Sequence, residues 1–171
     1  MRKKKDIKRL YENLGLDEDK IWHKTKILLE VYRDVVWAIN NKTNEMVCEV
    51  SFTYGRDFDK ALEFLRDFAP DEKREQFEKR VSYLFETRWL IDLIDRANEM
   101  IKAYPSYGEV YSEILDRVYF AKEKEKDTTI MMKLSLEKTT FYKRKKEAIS
   151  LMGVSIWGYA LKELKEEVMS V

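Results

Sequence analysis

Glycine and proline are scarce in this chain, at five and two among 171 residues. The turns that join β-strands draw heavily on both, so there is little material for many hairpins. Apolar residues recur instead at spacings of three and four. Ile7, Leu10, Tyr11 and Leu14 form one such face. Phe58, Ala61, Leu62 and Leu65 form another, and Val110, Tyr111, Ile114, Leu115 and Val118 a third. That period is helical, and the expected fold class is all-α. Aromatic residues make up 13% of the chain, enough to supply a packed core.

The spacing predicts a helix over Lys3–Leu14, ended by Gly15, and a second capped by Asp17 and running to about Asn41. Ile21, Leu28, Val31, Tyr32, Val35, Trp37 and Ile39 give the second helix its apolar surface. Met46–Tyr54 carries strand-like Val47, Val50 and Phe52 but has no partner strand, so it is expected to be helix or irregular link. A helix over Asp57–Phe68 and a longer one from Asp71 to Tyr104, ended by Pro105, follow. The apolar arc of Val81–Ile94 is wide, as in a helix packed against several others or in a dimer seam. Tyr104–Gly108 is the best boundary, dividing an N-terminal helical domain (1–104, for oligomerisation or partner contact) from a C-terminal domain (105–171). Lys122–Asp127 looks like a solvated charged end. Gly153 is expected to break the chain before a last helix bearing Ile156, Trp157, Leu161 and Leu164.

Composition narrows the function classes. Cys48 is alone, so no internal disulfide forms, and a reducing cytoplasm is the natural compartment. No apolar run is long enough to span a membrane. One Cys and one His make no structural zinc site. His23 sits between Trp22 and Lys24, as a surface residue would. No nucleophile–base order and no phosphate-binding glycine loop is present. The expectation is a non-enzyme with no cofactor and no metal.

One segment points to a specific task. Thr128–Met152, TTIMMKLSLEKTTFYKRKKEAISLM, reads as a short helix, a turn and a longer helix, with six cations. Thr128 and Thr129 are candidate caps, Ile130 and Leu134 share a face, Ser135 marks the turn, and Leu136 fills the space between the helices. From about Glu137 the second helix turns Phe141, Ala148, Ile149 and Met152 inward. Lys138, Thr139, Tyr142, Lys143 and Lys146 fall on the other face, mixing cations for phosphate with hydroxyls for base edges. Arg144 and Lys145 lie nearer its flank, suited to phosphate. This is the pattern of a helix-turn-helix, so the expected architecture is a multi-helix bundle followed by a C-terminal helix-turn-helix domain. A lysine-rich solvated face is the plain alternative. The turn has no Gly, and Glu137 stands where a Ser or Thr cap is expected.

Charge is focused rather than spread. The whole chain is +1, yet Met1–Arg9 and Lys133–Lys146 are each +5, so the remaining residues sum to −9. Two basic spots on an acidic body suit local phosphate contact, although the N-terminal run also reads as a solvated tail.

The order of "SEILDRVYF", "LSLEKTTFYKRKKEAI" and "SIWG" resembles the phage and prophage transcriptional regulators of the ArpU and RinA type. The likeness is clearest over Tyr107–Gly158, with a weaker echo in Phe85–Asp95. It implies a helix-turn-helix like region 4 of sigma factors, in a cytoplasmic, non-enzymatic regulator of phage late genes. It matches Thr139, Thr140, Tyr142 and Lys143 to the start of the recognition helix, while Glu137 departs from the Ser or Thr often found there. The implied partners are double-stranded DNA, RNA polymerase and further copies of the chain. The alternative is a phage DNA-packaging or assembly protein, an oligomer like a small terminase, using the same motif. A protein-interaction module with a solvated basic helix is a third reading.

Overall fold

In the computed structural model, residues 2–40, 89–163 and 166 are described, and every regular element among them is helical. The Met46–Tyr54 segment and the helix expected at Asp57–Phe68 lie outside these residues. In chain order the elements are α1 (Arg2–Leu14), α2 (Glu18–Asn40), α3 (Trp89–Lys102), α4 (Gly108–Leu115), α5 (Asp127–Lys133) and α6 (Lys138–Ser155). Helices α4 and α6 each run on into a wider π-helical turn, Asp116–Phe120 and Ile156–Ala160. No described helix is long and apolar enough to cross a membrane.

The local signals act as their chemistry demands. Gly15 ends α1 at φ 65°, with its own N–H on the Glu12 carbonyl and the Leu16 N–H on that of Tyr11. Asp17 then caps α2, its Oδ1 accepting from the Lys20 N–H at 3.2 Å. Ile7 and Tyr11 of α1 are buried, as are Ile21, Leu28, Leu29 and Tyr32 of α2. Trp37 does not join them and is 69% exposed. Five residues beyond Tyr32, at 100° per residue, it is turned about 140° away, and Val36 takes the packed position.

These helices share one core with α3 (Leu93, Ile94, Ala97 and Ile101), α4 and the second half of α6. Among the described residues, the sides of the 104/105 boundary therefore contribute to a common interior. The boundary segment itself is a corner in which Tyr107 takes the left-handed conformation at φ 62° just before α4.

Gly153 does not break the chain. The helix runs through it, because the glycine answers a close approach rather than a turn. A Cβ there would lie 2.6 Å from Tyr11 Oη, 2.7 Å from Ile21 Cγ2 and 2.8 Å from Thr25 Oγ1. Helices α1 and α2 both cross α6 at this point. The Tyr11 hydroxyl donates to the Ser150 carbonyl, and Ser150 Oγ to Glu18 Oε1 at 3.2 Å.

Candidate nucleic-acid interface

Helix α5, the following turn and the first half of α6 stand over a small core of their own. Ile114 from α4, Ile130 from α5 and Phe141 from α6 are fully buried, with Val110, Val118, Met131, Leu134 and Leu136 packed around them. Three helices meet there through one fully buried residue each. Leu134 and Leu136 lie where the spacing predicts.

The turn works without glycine because Ser135 takes the left-handed conformation at φ 53°. Its N–H bonds the Met132 carbonyl at 3.2 Å, and the Leu136 N–H bonds that of Met131 at 2.9 Å. This pair of bonds is the Schellman ending of a helix, with Met131 and Leu136 as its apolar contact. The caps differ from expectation. Helix α5 begins at Asp127, with Lys126 at the cap position and no side-chain cap bond. Thr128 and Thr129 lie exposed inside its first turn, where the Asp127 carboxylate faces the positive helix end. Glu137 holds the cap position of α6, also without a side-chain bond, and its carbonyl accepts from the Phe141 N–H at 2.8 Å.

The structure sorts the basic face into two groups. Lys133, Arg144 and Lys145 are held by acids. Lys133 Nζ is 2.6 Å from Glu125 Oε2, and this bond, with Arg117 on the other oxygen, holds the Glu125 carboxyl below the usual carboxylate range. Lys145 Nζ lies 3.7 Å from Asp127 Oδ2, which also accepts from the Tyr142 hydroxyl at 3.3 Å. Arg144 Nη1 is 2.8 Å from Glu147 Oε2, and its guanidinium stacks 4.0 Å from the Tyr107 ring centre. The same Glu147 oxygen accepts from the Tyr111 hydroxyl at 2.7 Å. Burial, then this bond, pushes the Tyr111 hydroxyl up from its ordinary value. Arg144 is thereby a bracket between α4 and α6.

Lys138, Lys143 and Lys146 have no carboxylate at ion-pairing distance among the described residues, and all three are exposed. Thr139 and Tyr142 are exposed beside them, and Thr140 is half-buried. Lys143 and Lys146 also overlook a cleft of about 290 Å³ lined by Ile7, Glu18, Glu147 and Ser150. Sequence reasoning missed Asp127, Glu147, Tyr107 and Tyr111 as organisers of this surface. The three-residue spacing of Arg144 and Glu147 was a usable signal, but the burial that makes the pair matter was not visible. His23 is exposed, with its ring edge-on to Trp22 at 5.2 Å. Among the described residues no three His, Cys, Asp or Glu side chains gather as metal ligands. No family model, curated protein or solved structure matches this chain.

Proposed function

We propose that the protein is a sequence-specific DNA-binding transcriptional regulator of phage or prophage genes, inserting the first half of α6 into the major groove. The observation that carries this reading is the split of the basic face. Three of its six cations are tied to acids and fix the motif's geometry. The other three, with Thr139 and Tyr142, form an exposed set on a helix braced from behind by Phe141. Lysines on such a helix suit phosphates, and hydroxyls beside them suit base edges. The resemblance to ArpU and RinA regulators supports the same surface, through Thr139, Thr140, Tyr142 and Lys143.

The test is a fluorescence-anisotropy titration with genomic duplex fragments at two salt concentrations. The parent is expected to prefer one fragment. Lys143→Glu with Lys146→Glu is expected to lower the salt slope by about two units. A double variant that binds as tightly as the parent would leave the basic helix a solvated face and end the regulator reading. A stable ring of many subunits in light scattering would turn the reading toward packaging.

A further inference from the structure

The two basic runs of the sequence lie some 130 positions apart, and the fold brings them to one end of a helix pair. Helices α1 and α6 pack in the same direction. Ile7 shares a cleft with Lys143 and Lys146, Tyr11 meets Ser150, and Leu14 approaches Gly158. Rising numbers on one helix meet rising numbers on the other. The first turn of α1, Arg2–Lys5, therefore continues beyond Ile7 by roughly 3–8 Å at 1.5 Å per residue. It runs alongside the part of α6 that leads back from Lys143 to Lys138.

We infer that the basic first turn of α1 is a second DNA-contacting element, set against the phosphate backbone of the duplex whose major groove receives α6. This rests on the function proposed above. Helix packing supplies the geometry. Neighbouring helix axes lie about 8–10 Å apart, while the major groove is about 12 Å wide. A helix packed beside one seated in the groove therefore meets the phosphate ridge and not the base edges.

Charge supplies the second argument. Helix α1 has no acid in its first turn, and its cations stand at the positive end of the helix dipole. The backbone of this turn leads toward the end of α6 that carries Lys138, Lys143 and Lys146, which lack acidic partners among the described residues. The two carboxylates of the intervening cleft are already engaged, Glu18 by Ser150 and Glu147 by Arg144 and Tyr111. Such a placement opposes helix formation and adds like-charge repulsion. A polyanion lying across both runs relieves both.

The experiment compares the full chain with the triple variant Lys3→Gln, Lys4→Gln, Lys5→Gln, on the preferred genomic duplex and on a scrambled duplex over a range of salt. Glutamine keeps the helix propensity of lysine, so the thermal midpoint should hold or rise. The triple variant should weaken both duplexes by the same factor and lower the salt slope by about two to three units. Thr139→Ala, which removes a hydroxyl proposed to face base edges, should instead narrow the gap between the two duplexes. If the parent shows its preference and the triple variant keeps the parent slope within about half a unit, the α1 inference falls alone. Loss of sequence preference in the triple variant would also overturn it, by making α1 a base reader. A parent that binds no duplex at any salt would remove the proposed function and this inference together.

Discussion

The two halves of α6 are one continuous helix with opposite surroundings. From Lys138 to Lys146 only Phe141 is buried, and the remaining side chains are exposed or half-exposed. From Glu147 to Ser155 every residue is buried, walled in by α1, α2, α3 and α4. A helix buried on all sides belongs to the core, and one buried along a stripe belongs to the surface. Here a single rigid rod is both. The inner half anchors the outer half, so the outer half can present side chains at fixed positions without a large core of its own. Substitutions should accordingly sort by surroundings, those from Glu147 onward and at buried Phe141 acting on stability, and those on the exposed face before Glu147 on binding.

Phe141→Ala should have the largest effect, about 3–5 kcal/mol, because it empties a core of three fully buried residues. Hydrogen exchange should show Ile130–Phe141 unprotected and DNA binding lost, while amides near Leu28 and Met152 stay protected. Equal loss of protection in both places would break the comparison, making the motif part of one cooperative unit.

Alkaline pH should attack the inner half. The Tyr11 and Tyr111 hydroxyls lie above their ordinary 10.0, chiefly through burial. Groups raised in this way contribute fully below pH 10. As pH rises further, the unfolded chain loses protons that the folded chain keeps, and stability falls. Each tyrosine costs about 1.4 kcal/mol at pH 11. A Tyr11→Phe, Tyr111→Phe variant should thus lose about 3 kcal/mol less than the parent between pH 9 and pH 11, measured by denaturant titration.

Gly153→Ala should cost about 1–3 kcal/mol, whereas the same exchange in an open helix gains about 1 kcal/mol. The three atoms in the way do not yield easily. Tyr11 is fixed by its bond to Ser150, Thr25 by its bond to the Ile21 carbonyl at 2.6 Å, and Ile21 is β-branched. A variant with a raised melting point would show that α1 and α2 do not clamp α6 there. The smallest effect is a gain. Ser135→Gly should stabilise the motif by about 1 kcal/mol, since a left-handed conformation costs serine and not glycine, and it should leave the affinity for DNA unchanged in the anisotropy titration.

The all-α class and the inward positions of the motif were legible in the sequence. Phe141, Ala148, Ile149 and Met152 repeat at the period of the helix that buries them. Gly153 was not legible, because a helix-breaking glycine and a close-contact glycine are the same letter. Only the positions of Tyr11 and Thr25, more than 100 residues away, separate the two uses. The outward set was legible as a face, through its spacing. Its division into held and unheld cations was not, because Asp127 meets Lys145, and Glu125 meets Lys133, only through the folded chain. The buried Glu147 reads as one more solvated carboxylate until Tyr111 is placed against it.

The bond between Tyr11 and the Ser150 carbonyl spans 139 residues. On a ribosome adding roughly 5–20 residues per second, α1 waits roughly 7–28 s for that partner to be made. During that interval its Ile7, Leu10 and Tyr11 stripe has no α6 to cover it. Among the described residues the Tyr11–Ser150 bond is one of the longest-range contacts, and contacts so far apart in sequence slow folding. A nascent chain stalled before residue 150 would therefore carry the apolar stripe of α1 without the helix that covers it in the fold, a surface open to pairing with another apolar face.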